Sequence, residues 1–356
     1  MAITLQDILA ALGGTLNGVT QAILAITFGF AMLPSALAYA VGIIGCIVFN
    51  STIPISFQAE TIALAGNMGK TSRERQSMII FAGLGMAVIG AFGLMENIVQ
   101  FAGENIIAAM MAGVGIILVK LSIDIMNENK KIGVISMAIA IVTYTLTSSL
   151  VYTFVGCIIL SSLAAYFLKF DINIDNATED AFVFQKPIFN FSVLRGTFAL
   201  ICLTIGGNIA FGGISAGISG VNANIDHITI YSGLADVASA IFGGSPISVV
   251  IAPTAAAPNP KTASIILMVF MMIILLTKSL SKIAKLIPSE AVTGTLFVLG
   301  AIITIPPNLL DAFSNATPAG ALAGSVTLAV TAVTDPFLGL LAGIIVNVIA
   351  IPLGLA

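Results

Sequence analysis

Two short stretches hold the side chains best suited to handling a polar solute. In PISFQAET (54–61), Gln58, Ala59, Glu60 and Thr61 follow a proline inside otherwise apolar sequence. Glu60 is the only acid on that stretch, and an ionisable group at membrane depth is costly enough to mark function by default. It can hydrogen-bond a solute or carry a proton. Gln58 offers both donors and an acceptor, which suits a nucleobase edge and an oxyanion equally. In the second stretch, FGGSPISVVIAP (242–253), the corresponding positions are Ser245, Pro246, Ile247, Ser248 and Ala252. Gly207 and Asn208 lie between glycines in TIGGNIAFGGISAG (204–217), where close helix packing is the expected role of the glycines. Asp236, among Gly233, Ala235 and Ala238, is a second candidate for proton coupling or for holding a broken helix in place.

These groups need a scaffold, and composition says which kind. The 356 residues are 58% hydrophobic and 8% charged, with a mean hydropathy of +1.11. Soluble domains run at roughly 45–50% apolar and 25% charged. A bilayer crossing takes about 20 apolar residues, so the length supplies on the order of a dozen crossings and little else. The expected setting is a multi-pass protein of the plasma membrane.

Apolar runs punctuated by Gly, Pro and charge give seven segments in the first half, at 16–33, 34–51, 55–67, 76–95, 103–123, 132–148 and 150–168. The second half gives seven more, at 191–210, 226–242, 246–257, 262–283, 288–306, 316–333 and 336–354. In each half the third segment is too short to span and is polar or Pro-broken. Backbone groups cannot be left open to lipid, so such segments persist only where protein or a watery cavity satisfies them. Paired interruptions in two halves point to a midplane solute site, and an odd number of crossings per half implies an inverted repeat. The expected organisation is a first repeat over 1–168, a polar linker over 169–190 and a second repeat over 191–356.

The same stretches resemble the xanthine/uracil permease family of nucleobase transporters, including its purine-permease branch. The likeness rests on GLADVASAIFGGSP (233–246), PISFQAET (54–61), GLMENIVQFAGENIIAAMMAGVGIIL (93–118) and LIPSEAVTGTLFVLGAII (286–303). It implies an all-α membrane fold of fourteen segments, arranged as a seven-plus-seven inverted repeat with two broken half-helices. A core domain would take 16–95 and 191–283, and a gate domain 103–168 and 288–356. Substrate would sit between the broken elements, against Gln58, Ala59, Glu60, Thr61, Gly207, Asn208 and the stretch Ser245 to Ala252. Family members place an acid on segment eight and a Glu on segment ten. This chain has Gly207 or Asn208 at the first position and Ala252 at the second. PISFQAET is also similar to the broken element of the benzoate, molybdate and sulfate permeases, so a small organic or inorganic anion is the alternative to a purine or pyrimidine base. A third reading, motivated by the missing acids, is a homologue that does not transport. The resemblance also implies a homodimer.

Other residues that attract notice have plainer expected roles. Cys46, Cys157 and Cys202 sit in apolar segments without metal-ligand spacing and read as small buried hydrophobes. His227 beside Asp226 reads as a loop residue, and Glu96, Glu104, Glu290 and Asp311 as helix-end charges. Thr334, Asp335 and Pro336 mark a turn. The opening MAITLQDILAALGG is mildly amphipathic and lacks a basic leader. Nucleophile-elbow, zinc-protease and phosphate-loop motifs are absent, so no catalytic residue, metal, cofactor or nucleic-acid partner is expected. No filter motif of the TVGYG kind appears, and paired interruptions fit alternating access better than a channel.

Of the 13 Lys and Arg residues, the segment order puts twelve on one side: Lys70, Arg73, Arg75, Lys120, Lys130, Lys131, Lys169, Lys186, Arg195, Lys278, Lys282 and Lys285. Lys261 alone opposes them. The positive-inside rule makes that side cytoplasmic and both termini external. Relatives are expected to have internal termini, so the charge pattern implies a flipped chain, with an oppositely oriented partner as one consequence.

Overall fold

The computed structural model describes residues 3–148, 150–168, 181–221, 224–280 and 288–350. The acidic part of the linker (Asp171, Asp175, Glu179 and Asp180), together with Lys169, Lys282 and Lys285, lies outside the described residues.

Every segment expected from the sequence corresponds to an element of the fold. In the first half these are α1 (Leu5–Thr27), α2 (Ser35–Val48), β1 (Ile55–Ser56) leading into α3 (Ala59–Met68), α4 (Ser72–Ala91), α6 (Glu104–Glu128), α7 (Lys130–Thr147) and α8 (Leu150–Phe167). An eight-residue helix, α5 (Met95–Ala102), follows α4 at an angle of 101°. In the second half come α9 (Phe191–Ser219), α10 (Ile225–Ala240), β2 (Ser248–Val249) with a 3-10 turn at Pro253–Ala256, and α11 (Pro260–Leu276). They are followed by the helical run α12 (Glu290–Phe313), α13 (Pro318–Val333) and α14 (Pro336–Ala350). Five helices among the described residues are long and apolar enough to cross a bilayer, or six if the bent α4–α5 pair is one span.

Local chemistry accounts for most boundaries. Thr4 and Asp7 form a reciprocal capping box at the start of α1. The side chains of Thr71, Asn190 and Asn224 cap α4, α9 and α10, while Pro260 and Pro318 occupy first-turn positions where no N–H is needed. At the α4–α5 bend Gly93 takes φ +66°, a conformation that costs glycine little. The first helix starts well before the expected segment, because the amphipathic opening continues into the span. Asp7 then reaches across the fold to accept from the backbone N–H of Asn259 at 2.9 Å and from its Nδ2 at 2.9 Å.

One expectation is corrected here. The second broken element is not a half-helix but a single four-residue 3-10 turn. Pro258 and Pro260 lack the N–H donors that would extend an α-helix from Pro253, and each pushes its predecessor out of helical geometry.

The helices pack as two bundles. The strand-bearing bundle comprises α1–α4 and α9–α11, with the deepest crossing between α4 and α10. There a Cβ on Gly83 would stand 2.5 Å from the carbonyl oxygen of Gly233, and one on Gly233 would stand 2.5 Å from that of Gly83. Small residues at such a crossing let backbones approach, which is the main source of association energy between helices in lipid. The second bundle comprises α6–α8 and α12–α14. The two bundles meet where α9 lies against α14, with Phe198 stacked on Phe337 at 4.9 Å between ring centroids. Beside that stack, Arg195 Nε and a terminal guanidinium nitrogen both reach Asp335 Oδ2 at 2.6 Å. The other carboxylate oxygen accepts from the Leu338 N–H at 2.9 Å, so the turn expected at Thr334–Pro336 also caps α14.

Candidate functional site

The centre of the molecule is a two-stranded antiparallel ribbon in which Ile55 pairs with Val249 and Ser56 with Ser248. All four residues are buried, so every backbone group beyond the ribbon needs another partner. Side chains supply them. Tyr39 Oη lies 3.0 Å from Ser56 Oγ and accepts from the Phe57 N–H at 3.3 Å. Asp236 Oδ1 accepts from the Ile247 N–H at 2.8 Å, and Ser35 Oγ from the Ser245 N–H at 2.9 Å. Ser248 Oγ reaches Thr61 Oγ1 at 3.5 Å, joining the two broken elements a second time.

Past the ribbon the chain turns directly into α3. Its N-cap residue, Gln58, is extended and gives no side-chain cap. Gln21 on α1 takes over part of that task, its Oε1 accepting from the Ala59 N–H at 2.8 Å while its Nε2 donates to Asn17 Oδ1 at 3.1 Å. Gln58 is only 4% exposed, yet its Nε2 has no hydrogen-bond partner. An unsatisfied buried donor costs about 1–3 kcal/mol, so a partner at this point would be strongly favoured. The Glu60 side chain is 5% exposed.

The Gln58 amide and the Glu60 carboxyl border a cavity of about 60 Å³, lined also by Asn17, Gln21, Phe211, Val250, Ile251, Leu299 and Ile303. That volume exceeds what a single water needs. Its polar lining comes from α1 and the N-terminus of α3. Its apolar lining comes from three places: α9, the segment after β2, and α12 of the second bundle. The cavity therefore lies between the two bundles.

Leu299 and Ile303 reach it from a six-residue π-helical stretch, Leu299–Thr304. Pro306 and Pro307 explain the distortion, since neither has an N–H for the carbonyl four residues earlier and both rings crowd the preceding turn. Asn308 Nδ2 donates instead to the Thr304 carbonyl at 2.7 Å. The stretch is anchored from behind, where a Cβ on Gly300 would stand 2.5 Å from the Gly115 carbonyl oxygen. Single widened turns of this kind occur frequently at functional sites.

A larger cavity of about 290 Å³ opens at the other end of α3, lined by Leu64, Asn67, Met68, Ile117, Lys120, Leu121, Asp124 and Ala332 to Thr334. It too lies between the bundles.

The residues named from the sequence are thus separated into groups. Gln58 and Glu60 line the cavity, and Gly207 borders it, since a Cβ there would stand 3.6 Å from Gln58 Nε2. Ala59 and Thr61 hold α3 to α1 and to β2. Asn208 is turned away, its Nδ2 donating to Thr229 Oγ1 at 3.1 Å between α9 and α10. Ser245, Pro246, Ile247 and Ser248 build the ribbon's approach, and Ala252 packs toward Gly14. Asp236 supports that approach and does not line the cavity. Sequence reasoning missed Asn17 and Gln21, although their four-residue spacing puts two amides on one face of an apolar helix. Val250 and Ile251 lie within the stretch Ser245 to Ala252 already named, but sequence reasoning also missed Phe211, Leu299 and Ile303. Of these only the last two had a sequence signal, the paired prolines that follow them.

Neither a family model nor a curated protein matches the sequence. Solved structures do match. The transmembrane domain of a cyanobacterial bicarbonate transporter, BicA, superposes with a TM-score of 0.69 at 16% identity, over 96% of this chain and 98% of that one. SLC26A9 superposes with a TM-score of 0.68 at 15% identity, over 98% of this chain and 65% of that one. The murine Solute Carrier 26 family member A9 anion transporter, in its inward-facing state, gives 0.67 at 15% identity over 99% of this chain and 70% of that one. At these identities the likeness is one of fold: the chain has the membrane architecture shared by these transporters, with two broken elements crossing at its centre.

Proposed function

We propose that the chain is a permease that carries a small anion across the bilayer by alternating access. The observation that carries this reading is the N-terminus of α3, capped at Ala59 alone by Gln21, with the partnerless Gln58 Nε2 beside it at a cavity between two bundles. A helix N-terminus presents backbone donors and the equivalent of about half a positive charge, which favours an anion. In this reading the strand-bearing bundle is the core and the second bundle the gate. Relative movement of the two would open the cavity to one side at a time, and the larger cavity beside Lys120 and Asp124 is the access route on the Lys-rich side. Solved relatives in fold include a bicarbonate transporter and an anion transporter, which supports an anion over the nucleobase implied by the sequence resemblance.

Glu60 sets a condition on the mechanism. No other titratable side chain lines the cavity among the described residues. A carboxylate and a bound anion at close quarters repel each other in a medium of low dielectric. Anion and proton therefore enter together, with Glu60 neutral while the site is occupied. The nucleobase reading is the competitor, because the Gln58 amide carries both a donor and an acceptor and Phe211 offers a ring face.

Proteoliposomes loaded at neutral pH and diluted into acidic buffer test both readings with labelled bicarbonate, sulfate, benzoate and uracil. Accumulation of one or more of the anions, driven by the proton gradient, is the expected result. Uptake of uracil alone would replace the anion by a base, and no uptake of any solute would favour the non-transporting reading.

A further inference from the structure

We infer that the anion is a monocarboxylate with an apolar body, bound with its carboxylate at the α3 N-terminus and its hydrocarbon part against the apolar lining that α9, the segment after β2 and the gate supply. The inference rests on the anion reading above and narrows it to a substrate class.

The first observation concerns charge. No Lys, Arg or His lines the cavity among the described residues, so the fixed positive potential is that of one helix end. A buried divalent oxyanion needs paired countercharges, which this site lacks. A monoanion accompanied by the Glu60 proton leaves the occupied site close to neutral. The donor available for it is the Gln58 Nε2, which has no other partner.

The second observation concerns shape. The apolar part of the cavity wall is formed by Phe211, Val250, Ile251, Leu299 and Ile303, none of which offers a side-chain hydrogen bond. An inorganic oxyanion exposes acceptors in every direction, and half of them would be desolvated against this wall without repayment. A carboxylate has its acceptors at one end only. Its alkyl or aryl remainder gains from the apolar wall, by a factor of roughly four in affinity per methylene.

Isothermal titration of the purified full chain with formate, acetate, propionate, butyrate, benzoate, sulfate, bicarbonate and uracil tests this directly. The expected result is affinity rising about fourfold per carbon from formate until the cavity is full, with sulfate and bicarbonate weaker than butyrate by at least an order of magnitude. Ile303→Phe fills the apolar end and should reverse the series, weakening the longer acids about tenfold or more relative to formate. Leu299→Ala should instead move the best-bound acid to a longer chain. Elution volume and melting temperature of each variant show that it is folded. A flat series, or sulfate bound as tightly as butyrate, overturns the inference. If sulfate or bicarbonate binds and Gln58→Ala removes that binding, the anion reading stands and only the carboxylate is wrong. Binding of uracil with no acid bound ends both.

Discussion

The Oε1 of Gln21 accepts from the backbone N–H of Ala59 at 2.8 Å, so the first helix caps the half-helix whose first turn borders the cavity between the bundles. One side-chain amide thereby fixes the position of α3 against α1 and, through its Nε2, aligns Asn17 along the same wall. The pair links local capping chemistry to the geometry of the site.

Replacing Gln21 with Leu keeps the bulk and removes the acceptor. The Ala59 N–H is then left buried without a partner, at a cost of about 1–3 kcal/mol. Thermal unfolding in detergent should show a lowered melting temperature, and Gln21→Glu, which retains an acceptor, should recover most of it.

Gln58→Ala removes a donor that has no protein partner, so its effect should fall on ligand rather than on fold. A charge-assisted hydrogen bond contributes about 1.5–3 kcal/mol, which corresponds to roughly ten- to hundredfold weaker solute binding. Titration of the purified variant measures this, with a melting temperature in the absence of solute close to that of the unaltered chain.

If Glu60 takes up a proton together with the anion, uptake into vesicles rises as the external pH falls and carries no net charge for a monoanion. Glu60→Gln fixes the neutral form. Gradient-driven accumulation should disappear while exchange of labelled for unlabelled solute persists. Wild-type accumulation by that variant would remove Glu60 from the coupling.

Arg195→Ala leaves Asp335 buried with one oxygen unpaired between the bundles. Charge-assisted bonds of this kind are worth about 1.5–3 kcal/mol, and the 38% exposure of the Arg195 side chain places the loss toward the lower end. A double-mutant cycle with Asp335→Asn, read by thermal unfolding, should show strong coupling between the two positions.

The charge pattern makes a separate prediction about insertion. Lys261 Nζ donates to Asn50 Oδ1, while Arg73 Nε donates to the Lys186 carbonyl, on the side where the segment order puts the other cations. The positive-inside rule predicts that the Lys-rich end faces the cytoplasm. Reporter fusions should find the loop before Lys186 inside and the C-terminus outside, and the reverse pattern would rule out the flipped orientation.

Much of the architecture was legible in the sequence because lipid imposes a strict rule: apolar runs must be helices, and interruptions must be buried. That rule places all fourteen segments and both broken elements. It fails at α5, whose bend depends on Gly93, and at the second broken element, where Pro258 and Pro260 restrict the chain to one 3-10 turn. Within the site, Gln58 and Glu60 stood out as polar residues beside a proline. Leu299 and Ile303 did not, because an apolar residue in an apolar helix carries no mark of what it faces, and their one signal was the pair Pro306 and Pro307 that follows. Asp236 stood out as a buried acid, yet its partner is the Ile247 N–H, eleven residues further on, and pairing of that sort is set by the crossing of the ribbon.

Relative movement of the two bundles across the cavity is the central claim, and cross-linking tests it most directly. Ile251 and Ile303 line the cavity from opposite bundles. With Cys46, Cys157 and Cys202 replaced by Ser, Ile251→Cys and Ile303→Cys can be joined by a short bifunctional thiol reagent that reduction cleaves. Cross-linking should abolish uptake into proteoliposomes, and reduction should restore it. Undiminished uptake by fully cross-linked protein would contradict alternating access at this site.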